Sequence, residues 1–280
     1  MNITAGQTVL VTGASGGLGT YITEAFAERK VKLGLVAYPG AELEQLRSSI
    51  AAKGIQAIAL ASDLRDPKQR RDVCERVKKE FGPVDILINN AGVEFTAPYV
   101  ELTEENILDV LNVNLEAAMI MARLVLPDML NRKQGHVVNM SSLAGRAGPA
   151  FQEPYAASKA GLIAFTSSFR ATCRGTGVSA SVITPGFVEA GIYAKLKAES
   201  GCVAPALFGV SAPETVARAV LRAIERNIPE IIINPIPVRP LLFLNLLSSS
   251  AGEWMTNALG ANSFFGRVVE GQKAKRSRKT

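Results

Sequence analysis

Seven short runs of apolar, largely β-branched residues recur along the chain, and stretches with helical character separate them. When strands alternate with helices, the connections produce a parallel sheet with helices covering both faces. We therefore predict an α/β fold built on a parallel seven-stranded sheet. The predicted strands are TVLVTG (8–13), VKLGLVAY (31–38), IQAIAL (55–60), VDILINN (84–90), GHVVNMS (135–141), VSASVIT (178–184) and EIIIN (230–234).

Two of the intervening stretches begin with helix-start signals. Thr103 precedes a long apolar stripe, and its side chain can accept a hydrogen bond from the first free amides of a helix. Glu104 and Glu105 follow, where negative charge stabilises a helix N-terminus. A second helix is predicted over residues 211–226, with Pro213 in its first turn.

The positive charge of the chain is concentrated at its C-terminal end. Net charge is +6 at pH 7, and much of this excess lies in the last eight residues, KAKRSRKT. A short basic tail is typical of a disordered, solubilising end; contact with acidic lipid or nucleic acid is the alternative, although no nucleic-acid-binding motif supports the latter. Cysteine usage and the lack of a secretory-signal pattern favour a reducing, cytoplasmic location. The three cysteines are widely spaced and odd in number, which fits neither a disulfide framework nor a metal site.

The segment TGASGGLG places Gly13, Gly17 and Gly19 between the first predicted strand and the next helix. Glycine is needed where a strand turns sharply into a helix and the backbone must approach a bound pyrophosphate closely. The spacing is G-x-x-x-G-x-G rather than G-x-G-x-x-G, and a plain tight turn is the alternative interpretation. Its position directly after the first strand favours dinucleotide binding.

Tyr155 stands four positions before Lys159 and thirteen after Ser142. Residues four apart lie on one face of a helix, with Cβ atoms about 6 Å apart, so an ammonium and a phenol can share a cavity. A neighbouring ammonium favours the phenolate and lowers the pKa of a tyrosine from its usual value near 10. For an isolated Y-x-x-x-K pair, a surface helix pair is the alternative.

Six motifs in order resemble the short-chain dehydrogenase/reductase family. They are TGASGGLG, NNAG (89–92), NVN (112–114), NMSS (139–142), YAASK (155–159) and PG (185–186). The resemblance covers residues 7 to about 190, and its specificity lies in the joint order and spacing of the motifs. It implies a single-domain doubly wound Rossmann fold and hydride transfer between a nicotinamide cofactor and an alcohol or carbonyl.

The resemblance also implies roles for individual residues. Tyr155 would be the general acid/base, and Ser142 would hydrogen-bond the same substrate oxygen. Lys159 would tune Tyr155 and bind the nicotinamide ribose, and Asn114 would hold a water that completes a proton relay. Asp63 and Leu64 match the adenine site and residues 90–92 the loop under the ribose, although each could be only a strand-end turn. The implied cofactor-binding residues are Gly13, Ser15, Gly16, Gly17, Leu18, Gly19, Ala37, Tyr38, Asp63, Leu64, Asn90, Ala91, Gly92, Tyr155, Lys159, Pro185, Gly186 and Val188.

The choice between NAD and NADP depends on the end of the second strand. A carboxylate there normally binds the ribose 2′-hydroxyl of NAD and would repel the phosphate of NADP. The chain has Ala37 and Tyr38 instead, so no acid excludes the phosphate, yet no arginine at 38 binds it. We favour NADP(H) over NAD(H), with Ser15 and backbone amides as phosphate donors.

One departure from the family concerns the nicotinamide end of the site. After Pro185 and Gly186 the family commonly has a threonine that bonds the carboxamide, and this chain has Ala190 at that position. The resemblance then implies that backbone groups, such as those of Val188, take over this contact.

Several conspicuous residues have structural rather than catalytic interpretations. His136, the only histidine, opens the fifth strand, far from the predicted site, and without a second histidine or clustered cysteines we predict no metal site. Trp254 could line a substrate pocket or pack the C-terminal segment. The apolar segment 240–247 is expected to pack on the body, where it would wall a pocket or a dimer interface; the alternative is peripheral docking on a membrane.

The chain is expected to form one domain with a C-terminal appendage. We predict a catalytic domain over 1–238, including a substrate cover at about 187–210. Residues 239–266 form an apolar C-terminal extension packed on the domain or at an interface, and 267–280 form a basic, disordered tail.

The resulting hypothesis is an NAD(P)-dependent short-chain alcohol dehydrogenase or ketone reductase with a lipophilic substrate. The resemblance also implies a homodimer or homotetramer. Two alternatives remain open: a non-catalytic cofactor-binding scaffold or sensor on the same fold, and an isomerase or dehydratase that recycles its cofactor within each turnover.

Overall fold

The computed structural model describes residues 1–277, and a seven-stranded parallel sheet lies at its centre. Each of the seven predicted strands is confirmed, and each observed strand lies inside its predicted run or ends one residue beyond it. The strands are β1 (Thr8–Thr12), β2 (Lys32–Ala37), β3 (Ala57–Ala61), β4 (Ile86–Asn89), β5 (Gly135–Met140), β6 (Val178–Pro185) and β7 (Glu230–Ile233).

The strand order is β3-β2-β1-β4-β5-β6-β7, so the direction of winding reverses between β1 and β4. Loops that leave the carboxyl ends of these two central strands diverge, and the crevice between them is where doubly wound sheets bind ligands. The helices are α1 (Gly17–Ala27), α2 (Ala41–Ala52), α3 (Pro67–Phe81), α4 (Glu104–Leu111), α5 (Ala117–Asn131), α6 (Glu153–Thr172), α7 (Gly191–Ser200), α8 (Pro213–Glu225), α9 (Arg239–Leu247), α10 (Ser249–Ala258) and α11 (Ala261–Ser277).

Helices cover both faces of the sheet and bury one apolar cluster on each. On one face α1 and α8 pack together, with Phe26 and Val220 fully buried. On the other face α3 and α5 bury residues such as Val77 and Met121. Burying one such side chain contributes about 1.5–3 kcal/mol relative to leaving it exposed. Close packing also constrains the backbone, because a Cβ on Gly34 of β2 would lie 2.7 Å from a methyl carbon of Val77.

The predicted start signals of α4 and α8 are confirmed. The Thr103 hydroxyl accepts a hydrogen bond from the backbone amide of Asn106, and the Asn106 side-chain oxygen accepts one from the backbone amide of Thr103, which closes a capping box before Glu104. Pro213 occupies the first turn of α8. Between α4 and α5 the helix widens into a π-helical turn, Asn112–Glu116. Such turns are frequent at functional sites.

The continuous helical segment Glu104–Asn131 is long and apolar enough to cross a membrane by length and composition alone. Core helices of soluble proteins meet the same criterion. Here the inner face of α5, including Met121 and Met129, is buried in the cluster against the sheet. The contacts therefore identify it as a core helix.

The C-terminal end corrects one prediction. Residues 267–277, assigned above to a disordered tail, continue α11, and Val268 and Val269 are buried. The helix forms because Phe264, Phe265 and Val268 join an apolar cluster with residues of α7. Residues 278–280 lie outside the described part of the chain.

The apolar segment 240–247 forms most of α9, and its two sides differ. Leu241 and Leu242 line the central cavity, whereas Leu246 is 81% exposed. The predicted packing therefore holds for the inner side only. Trp254 of α10 is 70% exposed and does not line the cavity, so neither of its two predicted roles is confirmed within residues 1–277.

Candidate active site

A cavity of about 870 Å³ opens at the carboxyl ends of the strands, around the point where the winding reverses. Every predicted cofactor-binding residue except Gly19 lines this cavity, and so does the predicted catalytic residue Ser142. The motifs are far apart in the sequence, and the sheet brings them to one edge because every parallel strand ends there.

The glycine loop is shaped by close backbone contacts. Gly13 has φ +64, and a Cβ there would lie 2.8 Å from the Cα of Ala91. Gly19 faces away from the cavity and packs against the loop itself, since its Cβ would lie 1.9 Å from the carbonyl oxygen of Gly13. No side chain caps the N-terminus of α1 at Gly16, so the amides of the first turn can bind an anion such as a pyrophosphate.

The NNAG loop after β4 is fastened to the glycine loop. The side-chain amide of Asn90 donates to the carbonyl oxygens of Thr12 and Gly13 at 3.2 and 3.0 Å. The Thr12 hydroxyl in turn accepts hydrogen bonds from the amides of Asn90 and Ala91. These bonds hold the two loops against each other and set the width of the crevice at its base.

Tyr155 and Lys159 lie on the buried face of α6. The Lys159 ammonium donates to the carbonyl oxygen of Met140 at 2.8 Å and lies 5.6 Å from the centre of the Tyr155 ring. Burial lowers the pKa of Lys159 to about 8. Burial also raises the pKa of Tyr155 to about 12, which outweighs the opposing effect of its hydrogen bond with Ser142.

Burial outweighs the lowering expected from Lys159, and the tuning of the Tyr155 pKa by Lys159 stays a prediction. In the observed geometry desolvation dominates, because the ammonium points to the Met140 carbonyl and both groups are withdrawn from water. The phenol therefore keeps its proton at neutral pH.

The two neighbouring serines have different partners. The Ser141 hydroxyl donates to the carbonyl oxygen of Lys159 at 2.7 Å and ties the end of β5 to α6. The Ser142 hydroxyl bonds the amide of Ala144 at 3.2 Å and interacts with the Tyr155 phenol. Ser142 is thus the serine placed to share a substrate oxygen with Tyr155, as predicted from its position in the sequence.

Asn114 lies in the π-helical turn, behind the cavity rather than in its wall. Its side chain accepts a hydrogen bond from the Val93 amide at 2.8 Å, donates to the Val93 carbonyl at 2.9 Å and donates to Ser158 at 3.1 Å. A Cβ on Gly92 would lie 3.4 Å from Asn114 Oδ1 and 3.5 Å from Lys159 Nζ. Both polar atoms therefore face one open spot, and the water-mediated relay between them stays a prediction.

The end of the cavity beyond β2 and β3 would receive the adenosine. The carboxylate of Asp63 is held by Arg65 at 2.7 Å, a bond that keeps the pKa of Asp63 below its usual value. Arg65 also binds Asp109 at 2.9 Å, so its guanidinium is shared between two acids. The side chain of Leu64 is in the core, which leaves its backbone for contact with a ligand. Sequence reasoning missed Arg65 and Glu42, which also line this end.

At the nicotinamide end, the loop after β6 is held by its own backbone. The amide of Ala190 donates to the carbonyl of Val188 at 2.6 Å, and the amide of Glu189 donates to the carbonyl of Ser211. The Val188 amide makes no hydrogen bond within residues 1–277, so it can bind a carboxamide oxygen in place of the missing threonine hydroxyl. The glycine cradle, the lysine and this amide fit a nicotinamide dinucleotide.

The substrate side of the cavity contains residues that sequence reasoning missed. Glu94 and Gln152 supply its polar groups. Glu94 lies two positions after the NNAG motif and Gln152 three positions before the YAASK motif. This proximity to the motifs is the sequence signal that could have indicated them. The apolar wall comes from residues that are distant in sequence, namely Phe187, Tyr193, Leu241, Leu242 and Phe265.

His136 lies at the start of β5, opposite the cavity, as predicted. Its Nε2 is 2.9 Å from the Ser181 hydroxyl, and burial lowers its pKa to about 3, so the ring is neutral and structural. Within residues 1–277, no group of three or more His, Cys, Asp or Glu side chains is arranged to hold a metal ion.

Several known proteins that are similar to this chain in sequence or structure are reductases. The ketoacyl reductase HetN of Nostoc sp. is 40% identical over 238 residues, which are 85% of this chain and 82% of that protein. The 3-oxoacyl-(acyl-carrier-protein) reductase FabG of Thermotoga maritima is 31% identical over 219 residues, 77% of this chain and 89% of that protein. A crystal structure of an actinorhodin polyketide ketoreductase variant with NADPH matches with a TM-score of 0.75 and 26% identity, covering 81% of this chain and 95% of that chain.

The family profile described as short chain dehydrogenase matches residues 7–201. This range contains the glycine loop, the NNAG loop and the pair on α6. The chain therefore belongs to the short-chain dehydrogenase/reductase family of nicotinamide-dependent oxidoreductases.

Proposed function

We propose that this protein is an NADPH-dependent reductase that acts on the ketone of a lipophilic ketoacyl substrate. One observation carries the proposal: the Tyr155 phenol lies beside Ser142 in the lining of a cavity that has an apolar wall. A phenol that holds its proton at neutral pH is a proton donor, which is the role that ketone reduction requires.

The residues of the chain divide the work between them. When bound, the nicotinamide cofactor supplies the hydride. Tyr155 donates a proton to the ketone oxygen, and Ser142 stabilises the negative charge that develops on that oxygen. Lys159 holds the ribose, and its positive charge, when present, favours proton loss from the phenol. In the reverse reaction the Tyr155 phenolate would accept the proton of the alcohol.

The lining of the cavity supports a lipophilic substrate. Phe187 makes a tilted contact with Tyr193 and an edge-to-face contact with Phe264, each with ring centres 5.2 Å apart, and lies between the site and the C-terminal helices. Leu241 and Leu242 extend the apolar wall toward α9. The relatives named ketoacyl reductases support an acyl chain as the group that occupies this wall.

Three observations bear on NADPH. Tyr38 stands where a carboxylate would repel the 2′-phosphate, and the similar polyketide ketoreductase was solved with NADPH. Glu42 lines the adenosine end of the cavity, where its carboxylate would favour NADH because it would repel a 2′-phosphate. We favour NADPH because neither Ala37 nor Tyr38 would repel the phosphate and the Ser15 hydroxyl, which lines the cavity, can donate a hydrogen bond to it.

The test compares the wild-type protein with Tyr155→Phe. The wild type should oxidise NADPH when given a 3-oxoacyl thioester, and the variant should lose about 10²–10⁴-fold in kcat while binding NADPH equally well by calorimetry. Equal turnover by the two proteins would contradict the acid role of Tyr155. Cofactor binding without any turnover of ketones or alcohols would favour a sensor or scaffold.

We also propose a homodimer or homotetramer formed through the outer faces of the helices that flank the sheet. Leu108 of α4 and Met119 and Leu130 of α5 are exposed apolar side chains on this surface. Sedimentation equilibrium should give a mass of two or four chains, and a monomer at micromolar concentration would refute the assembly.

A further inference from the structure

The proposed reaction leaves one acid in the cavity without a role. Glu94 follows the NNAG loop by two positions and lines the cavity on its substrate side. Its Oε1 accepts hydrogen bonds from the Thr96 hydroxyl and from the side-chain amide of Gln152, the latter at 3.2 Å. Gln152 also donates to Thr96 at 3.0 Å. The second carboxylate oxygen of Glu94, Oε2, makes no hydrogen bond within residues 1–277.

The backbone beside Glu94 is held rigidly. Asn114 bonds both the amide and the carbonyl of Val93, the residue that precedes Glu94. Gln152, which fixes Oε1, lies three positions before Tyr155. The π-helical turn and the start of α6 therefore position both Glu94 and Tyr155. Such support is what a positioned binding group needs.

Burial raises the pKa of Glu94 above its usual value, against the opposing hydrogen bonds from Thr96 and Gln152. The titratable groups that face it are Tyr155 on α6 and Lys195 and Glu199 on α7. Lys195 favours the charged carboxylate and Glu199 opposes it. Since Oε1 only accepts, a proton on this acid resides on Oε2, which then becomes a donor toward the cavity.

We propose that Glu94 binds a second oxygen of the substrate through Oε2, while Tyr155 and Ser142 bind the ketone oxygen. This inference rests on the proposed function and specifies its substrate class. The substrate carries two oxygen acceptors on one acyl chain, as in a 3-oxo ester, thioester or amide. A free 3-oxo carboxylate is disfavoured, because its charge would lose hydration beside the apolar wall of the cavity.

The experiment uses two ketones of equal chain length, a 3-oxo methyl ester and a simple methyl ketone. Steady-state kinetics with NADPH give the ratio of kcat/KM for the two substrates in the wild type, in Glu94→Gln and in Glu94→Leu. Glu94→Gln keeps an N–H donor with the same shape, and Glu94→Leu removes all polarity. Glu101→Gln is the matched control, because it removes an exposed carboxylate that lies outside the cavity lining and does not affect the pKa of Glu94.

The expected result is a fall of about 10- to 100-fold in the ester-over-ketone ratio in Glu94→Leu, mainly through KM, because one buried hydrogen bond is lost. Glu94→Gln should keep most of the ratio, and Glu101→Gln should keep all of it. The wild-type ratio should fall as pH rises and Glu94 ionises, whereas the Glu94→Gln ratio should not change with pH. Equal ratios in the wild type and both Glu94 variants would overturn the proposal.

A second measurement separates this proposal from the proposed function. Calorimetry of the protein loaded with NADP compares binding of a 3-hydroxy methyl ester with that of the matched secondary alcohol, and it needs no turnover. If no ketone is reduced but Glu94→Leu weakens ester binding selectively, the reductase proposal fails and the Glu94 site stands. If the wild type and Glu94→Leu bind the ester with equal affinity, the Glu94 site is refuted, whether or not the protein reduces ketones.

Discussion

Replacing Lys159 with methionine should stabilise the cofactor-free protein at neutral pH while abolishing its activity. The ammonium is buried, and its pKa falls from 10.5 to about 8 on folding. A difference of one in pKa corresponds to about 1.4 kcal/mol, so folding with a charged lysine costs about 3 kcal/mol at pH 7. Methionine removes this cost at similar length, but it leaves the Met140 carbonyl unpaired at a cost of about 1–2 kcal/mol.

The net expectation is a gain of about 1–2 kcal/mol at pH 7, and its pH dependence has a definite sign. Between about pH 8 and pH 10.5 the unfolded chain still binds a proton on Lys159 that the folded chain has released. Wild-type stability from this group therefore rises with pH across that window. Above it, the neutral lysine costs nothing and keeps its hydrogen bond, so the wild type should become the more stable protein.

Urea unfolding of both proteins at about pH 7 and at about pH 10.5 measures this crossover. Taking the difference between wild type and variant removes the contribution of Tyr155, whose raised pKa acts on both proteins alike. Lys53→Met is the control, because this lysine is exposed at the end of α2. A variant that is less stable at pH 7, or a difference that is the same at both pH values, would refute the argument from burial. A stabilised, inactive variant would mean that the active site retains a charged lysine at the expense of stability.

Three further predictions follow from individual contacts. Gly19→Ala should abolish cofactor binding measured by calorimetry, since its Cβ would overlap the Gly13 carbonyl oxygen; retained affinity would contradict the loop geometry. Asn114→Ala should lose about 2–3 kcal/mol of unfolding free energy and most activity, because it frees the loop before Glu94, whereas Asn106→Ala in the capping box should lose about 1 kcal/mol with full activity. The low pKa of His136 means that the unfolded chain binds a proton between about pH 6.5 and about pH 3 that the folded chain does not, so stability should fall by up to about 5 kcal/mol as pH falls through this window. His136→Gln should lack this component in acid titrations followed by circular dichroism, and an unchanged acid profile would contradict it.

The local sequence was sufficient to predict the sheet and the position of the ligand crevice. The apolar runs and helix signals are short-range patterns, so each strand is recognisable without knowledge of its neighbours. The glycine loop and the Tyr155–Lys159 pair are equally local, because a tight turn and a helix face depend only on residues a few positions apart. The same holds for the capping box that starts α4.

Other properties depend on segments that meet only in the folded chain. The pKa of Tyr155 is raised because burial by distant elements outweighs the effect that its sequence neighbour Lys159 suggests. Residues 267–277 are polar enough to be predicted as disordered, yet Val268 packs into a cluster built by α7 and α11. Glu94 becomes a candidate binding group only because Gln152 and Asn114 fix it from other parts of the chain. Spacing in the sequence therefore determined which groups could meet, and desolvation in the tertiary structure decided their protonation, because burial is a sum over all the elements packed around a site.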